Sequence, residues 1–288
     1  MTTPADTLRR LLEQPGLIVM PCCFDALSAK MIEQANFPLT FMSGFAVSAS
    51  RIGLPDLGLM SYGEVIDQGR NICNAVSIPV IGDGDTGYGN ALNVKRTVQG
   101  FARAGFAAVM IEDQVSPKRC GHTKGKQVVE RDEAFLRIRA AVDARNEGDD
   151  ILILARTDAR ATLGPEEAIE RAQQFEQLGA DILFVEAPKN EAEMRTVCEN
   201  IISPKMANMV EGGTTPLLPP ATLEEIGFKI AAYPLTLMSA AMKAIQQALI
   251  KLQNGQHPGD ALLDFTELRE IIGFEAYYDE EKQYLTNT

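Results

Sequence analysis

The chain has 288 residues, 45% of them hydrophobic and 23% charged, and a net charge of −12. That length buries a sizeable core, as one large domain or two ordinary ones. A surface this acidic repels nucleic acid and anionic membranes and excludes both as partners, while local cations leave small anionic substrates open.

The N-terminal segment MTTPADTLRRLLEQPG carries acids and lacks the apolar centre of a signal peptide. No apolar run approaches the ~18 residues of a spanning helix. The expected compartment is the cytoplasm, with thiols reduced. Short continuous apolar runs predict strands at 17–22, 38–43, 78–83, 107–112, 151–156, 181–186, 204–208 and 229–233. Runs of this kind mark strands covered on both faces. Four of them follow a Gly or Asn, namely Asn36, Gly105, Gly179 and Gly227, each placed as a left-handed cap past a helix. Helical faces precede two of these caps. Val94, Val98, Phe101 and Ala102 lie before Gly105, and Ile169, Ala172, Phe175 and Leu178 before Gly179, with Pro165 at a first turn. Phe135, Ile138 and Val142 keep the same period within 132–144.

Eight such units predict an α/β fold, a (β/α)8 TIM-type barrel. An open doubly wound sheet is the alternative, weakened by the lack of a GxGxxG turn after the first strand. In a barrel the chemistry lies at the C-terminal strand ends. Those ends read Ser43-Gly44, Asp83 and Asp85, Glu112 with Asp113, Arg156 with Asp158, Glu186, and Asn208 followed by Glu211. The opposite ends read Asn36-Phe-Pro, Ser77-Ile-Pro, Gly105-Phe and Gly227-Phe. The asymmetry points to an active-site rim.

Asp83, Asp85 and Glu112 offer hard carboxylate oxygens from two adjacent strands, a set suited to Mg2+ or Mn2+. The plainer reading is solvated loop acids. Arg156 and Asn208 suit a substrate carboxylate, or Arg156 pairs internally with Glu186. The five cysteines form no CxxC pair, so neither a disulfide framework nor a zinc site is indicated. Cys22, Cys23, Cys73 and Cys198 sit in apolar or helical context. Cys120 sits in the polar loop PKRCGHTKGK beside Lys118, Arg119 and His122, where cations favour the thiolate. Such a thiol can exchange a proton with a carbon acid. Cys–His acyl transfer is the rival chemistry, with no evident use for three carboxylates.

The segments SGFAVSASRIGLPDLGLMS (43–61), GDGDTGYGNALNVKRTV (82–98), IEDQVSPKRCGH (111–122), ARTDAR (155–160), FVEAP (184–188), NMVEGGTTPL (208–217) and AAYPLT (231–236) together resemble the isocitrate lyase/phosphoenolpyruvate mutase superfamily. The resemblance covers nearly the whole chain. It implies a single barrel domain over 1–288, with a gating loop about 115–128 and a C-terminal helical extension about 236–288. It also implies a helix exchanged between subunits of a homodimer or homotetramer, and Mg2+ with Mn2+ as a substitute ion. The substrate is then a small di- or tricarboxylate. By the same resemblance Asp83, Asp85 and Glu112 match the metal region. Ser43, Gly44, Arg156 and Asn208 match the binders of the 2-oxo acid part, with Phe45, Gly121 and Pro234 also facing substrate. Asp56 matches an active-site acid, Cys120 the general acid of the carbon–carbon lyase branch, and His122 and Glu186 supporting polar groups.

The branch narrows further. KRCGH favours a lyase over the phosphonate mutases. Methylisocitrate lyases read SGGG where this chain has SGFA, and carry arginines for the extra carboxylate where this chain places Ser239 and Phe265. A buried carboxylate without a partner is costly. The oxaloacetate hydrolase branch has a serine at the place of Pro234. A 2-alkylmalate lyase is the expected activity. Oxaloacetate hydrolysis or decarboxylation and methylisocitrate cleavage are the alternatives on the same scaffold, and a non-catalytic metabolite binder is the more distant one.

Overall fold

A computed structural model describes residues 2–120 and 125–284. The strands are β1 Ile18–Cys23, β2 Thr40–Met42, β3 Val80–Asp83, β4 Ala108–Glu112, β5 Leu152–Thr157, β6 Ile182–Val185, β7 Met206–Asn208 and β8 Ile230–Tyr233. All eight predicted strands are present, within two residues at either end. The helices are α1 Pro4–Glu13, α2 Ala26–Gln34, α3 Gly44–Ile52, α4 Tyr62–Ala75, α5 Ala91–Ala104, α6 Arg131–Asn146 and α7 Ala159–Thr162. They continue as α8 Pro165–Gln177, α9 Glu191–Asn200, α10 Pro220–Ile226, α11 Thr236–Gln253, α12 Phe265–Ile272 and α13 Phe274–Glu281. No helix among the described residues is long and apolar enough to cross a membrane.

The strands pair in parallel in the order β6-β5-β4-β3-β2-β1-β8-β7. A parallel bridge between Leu183 and Lys205 joins the two outer strands, so the sheet closes into the expected barrel. Closure explains the continuous apolar runs, because both faces of every strand are covered. One set of side chains fills the interior: Met20, Cys22, Phe41, Ile81, Met110, Leu154, Ile182, Phe184 and Met206, joined by Ala5 and Leu8 of α1. The alternate set, including Cys23, Met42, Val109, Ile111, Ile153 and Leu183, packs under the helices. At Gly82 the Phe101 and Phe106 rings sit where a Cβ would be, 2.5 and 2.8 Å away. The glycine lets that aromatic pair lie flat on the strand.

The caps behave as their chemistry requires. Asn36, Gly105, Gly179 and Gly227 have φ of 63°, 98°, 99° and 108°, the left-handed region in which a helix is commonly stopped. Pro165 opens α8, where its missing N–H leaves no bond unmade. Each stop returns the chain promptly to the next strand, which carries the polar strand ends to one rim.

By its internal contacts the chain divides into two compact units, Met1–Leu237 and Met238–Thr288. The first holds the barrel. The second holds most of α11 and then α12 and α13. In it Asp264 and Glu267 form a capping box at the start of α12, and Arg269 lies over the Phe274 and Tyr278 rings at 5.6 and 5.8 Å.

Candidate active site

The C-terminal strand ends surround a cavity of about 190 Å³. Its polar lining includes Ser43, Asp56, Asp83, Cys120, Arg156, Glu186 and Asn208. Gly44, Phe45 and Pro234 also line it. Asp85 and Glu112 stand behind this lining rather than in it. His122 and Gly121 lie outside the described residues.

Arg156, at the end of β5, is the hub of one side. It grips Asp158 with two bonds, Nε to Oδ2 at 2.8 Å and Nη2 to Oδ1 at 3.0 Å. It also approaches Glu112 at 3.3 Å and Glu186 at 3.2 Å, and it lies over the Phe184 ring. Burial disfavours the charge, yet Asp158, Glu112 and Glu186 outweigh it and hold the guanidinium pKa well above its ordinary value. The internal pairing read from the sequence is present, and the same guanidinium lines the cavity. Asn208, at the end of β7, donates to Glu186 at 3.2 Å, and Glu186 Oε1 accepts the Ala187 N–H at 2.8 Å. Ala187 holds φ 60°, a strained conformation that fixes this turn.

On the other side α3 begins directly after β2. Ser43 caps it by accepting the Ala46 N–H, and the first residues of the helix, Gly44 and Phe45, line the cavity. Gly44 has no room for a side chain: a Cβ there would lie 2.4 Å from Asp83 Oδ2. Asp83 Oδ1 accepts the Asp85 N–H at 3.1 Å, and Asp85 takes the left-handed φ of 48°. Asp tolerates that conformation better than most residues.

The sequence reading did not foresee the partners of Lys118. Its ammonium is buried between Asp56 Oδ2 at 2.7 Å and Asp85 Oδ1 at 2.8 Å. Burial opposes the charge, but Asp85, Asp83, Asp56 and Glu112 outweigh it and raise its pKa well above the ordinary value. Lys118 thus joins the carboxylate cluster. Burial pushes Asp85 up to about 6 against the pull of Lys118, with Asp83 and Asp56 adding to the rise. The buried pair of Lys126 and Asp158, 2.7 Å apart, was also not foreseen.

Three hard carboxylates are the right donors for Mg2+. Among the described residues no three acids, histidines or cysteines converge at metal-binding spacing. One observation nevertheless fits a cation: Glu112 Oε1 is buried and has no hydrogen-bond partner. Burial pushes this carboxyl well above the usual range, against Arg156 and with Asp158. A dry oxygen with no donor is rare unless something positive completes it.

A parallel barrel with a carboxylate-ringed cavity at its C-terminal mouth is an enzyme scaffold that handles small anions. The chain matches the phosphoenolpyruvate phosphomutase family over residues 8–253 and belongs to it, and through it to the PEP mutase/isocitrate lyase superfamily. It is 41% identical to 2,3-dimethylmalate lyase of Eubacterium barkeri, across 98% of each chain. Oxaloacetate acetylhydrolase, solved with the inhibitor 3,3-difluorooxalacetate, superposes with a TM-score of 0.94 at 35% identity, covering 98% of this chain and 97% of that one. Phosphonopyruvate hydrolase, solved with oxalate and Mg2+, superposes with a TM-score of 0.88 at 30% identity, covering 99% and 100%.

Proposed function

We propose that this enzyme is a Mg2+-dependent carbon–carbon lyase that cleaves a 2-hydroxy dicarboxylate of the 2-alkylmalate type into a 2-oxo acid and a small carboxylate. One observation carries the choice of substrate. Arg156, Asn208 and Glu186 give the cavity polar lining, while Phe45, Val210, Pro234 and Leu235 give it apolar lining. An alkyl substituent suits those apolar side chains. A third carboxylate packed against them would be desolvated at a cost.

Asp83, Asp85 and Glu112 are the residues that would hold Mg2+, with Mn2+ as a substitute. Bound there, the ion supplies Lewis-acid polarisation of the substrate's oxygens. Arg156 and Asn208 orient the carboxylate of the part that becomes the 2-oxo acid, and the Ser43–Gly44 backbone holds its oxygen. As the hydroxyl proton leaves to a base, the C2–C3 bond breaks and its electron pair moves onto C3. The Cys120 thiol then delivers a proton to C3, which gives the saturated carboxylate. Asp56 holds Lys118 in the cavity lining, and Glu186 keeps Asn208 and Arg156 oriented. His122 and Gly121, beside Cys120 in sequence, complete the assigned set.

The partner of the second unit is a second copy of this chain. Met242, Ile245, Leu249, Ile250 and Leu252 of α11 are 52% to 59% exposed, more apolar surface on one helix than a lone chain keeps. The five thiols, none in a disulfide, suit a reducing compartment, the cytoplasm.

The test is a coupled assay. Protein with Mg2+ receives 2,3-dimethylmalate, citramalate, 2-methylisocitrate and oxaloacetate separately, and release of 2-oxo acid or loss of oxaloacetate is followed. The expected result is cleavage of a substituted malate, stopped by EDTA and by Cys120→Ser, while Cys120→Ser still binds Mg2+ with pyruvate. Turnover of oxaloacetate alone would replace this reading with hydrolysis or decarboxylation. Full turnover by Cys120→Ser would remove the thiol from the mechanism.

A further inference from the structure

The geometry points to Lys126 as a positioning residue that, through Asp158, holds Arg156 in the attitude that grips the substrate carboxylate, and ties that grip to the root of the segment carrying Cys120. This rests on the reading of Arg156 given above.

The root is well fixed. Val115 donates to the Gln127 carbonyl and Val129 to the Asp113 carbonyl, each at 2.9 Å, with an antiparallel bridge between Gln114 and Val128. The Gln114 side chain clamps the backbone of Arg119, accepting its N–H at 3.0 Å and donating to its carbonyl at 2.8 Å. Lys126 immediately precedes Gln127 of this clasp. It is 7% exposed and is not among the residues lining the cavity, so its effect on substrate runs through a group it contacts.

That group is Asp158. Its Oδ1 accepts from Lys126 Nζ at 2.7 Å and from Arg156 Nη2 at 3.0 Å. Asp158 cannot retreat. Its N–H donates to Asp113 at 2.8 Å, and Asp113 is held by Thr157 at 2.7 Å and Arg171 at 3.1 Å. Arg156 faces three carboxylates, Asp158, Glu112 and Glu186. The Lys126 ammonium shares the charge of Asp158 and leaves more of the guanidinium field for an incoming anion. Without it, Asp158 draws Arg156 more tightly to itself and away from the cavity.

Lys126→Met keeps the apolar stem and removes the charge, and Lys126→Arg restores it. Affinity for oxalate in the presence of Mg2+ is measured by calorimetry, and KM and kcat with the malate substrate. Lys126→Met is expected to weaken oxalate and raise KM on the order of tenfold, the effect usual when a partner behind a binding group is lost. The change in kcat should be smaller, and Lys126→Arg should recover most of the loss. If Lys126→Met does not fold, Lys126→Gln, a neutral donor to Asp158, takes its place. Oxalate affinity and KM within twofold of the wild type would overturn the inference. So would an equal loss in Lys126→Arg, the mark of a merely structural role. Failure of the wild type itself to bind oxalate would sink the reading of Arg156 as well, which separates the two.

Discussion

Gly44→Ala separates site geometry from fold stability. Gly44 is the first residue of α3. Its backbone is not in the left-handed region, so alanine fits the helix and adds up to about 1 kcal/mol of stability. The new Cβ, however, would stand 2.4 Å from Asp83 Oδ2, 3.1 Å from its Cγ and 3.6 Å from its Cβ. Ordinary contact begins near 3.4 Å, so the carboxylate must move by about 1 Å. It can do so by rotating, at the expense of the bond it accepts from the Asp85 N–H at 3.1 Å. Metal donors tolerate roughly 0.2 Å. Mg2+ affinity should therefore fall at least about 10- to 100-fold, while the melting temperature in EDTA stays level or rises. Calorimetry with Mg2+, or electron paramagnetic resonance with Mn2+, reads the first quantity, and a thermal melt reads the second. Wild-type Mg2+ affinity in Gly44→Ala would remove Asp83 from the metal site. A melting temperature several degrees lower in EDTA would show that the backbone, not the carboxylate, had yielded.

Two further outcomes are expected. Arg160 donates to Glu193 at 2.6 and 2.8 Å, and those hydrogen bonds hold the Glu193 carboxyl below its usual range. A depressed folded pKa gives stability that is present above the unfolded value near 4.5 and lost as pH falls through the folded one. Glu193→Gln should thus melt below the wild type at neutral pH, and the gap should close as pH falls through the lowered folded pKa; a gap unchanged across the acid range would refute the linkage. In sedimentation velocity the wild type should run as a dimer or tetramer, and paired Ile245→Glu and Leu249→Glu substitutions should shift it toward monomer. A wild-type monomer at micromolar concentration would rule out the assembly.

The barrel was legible because its signals are local. A helix stop at Asn36, Gly105, Gly179 or Gly227 is decided by one residue's backbone freedom, and a strand buried on both faces by its own apolar run. The rim was legible for a related reason: Asp83, Glu112 and Asn208 each end a strand and Arg156 stands one residue before the end of another, and barrel closure carries strand ends to one place. Lys118 and Lys126 defeat this kind of reading. Asp56, one partner of Lys118, is 62 residues away in sequence, and Asp158, the partner described for Lys126, is 32. In a polar, glycine-containing loop each looks like a solvated charge, and only the docking of that loop on the rim makes them buried.

The charge balance of the mouth shows why cations had to come from there. Asp56, Asp83, Asp85, Glu112, Asp158 and Glu186 converge from the strand ends and the loop after α3, whereas the strand ends supply one cation, Arg156, to this cluster. Buried carboxylates at that density need counter-charge. Lys118 meets Asp56 and Asp85, and Lys126 meets Asp158. The two lysines flank Cys120 in sequence and seat the segment that carries it on either side. The electrostatics that stabilise the rim are thereby the same contacts that place the thiol over the cavity, and a substitution in either lysine should register at both.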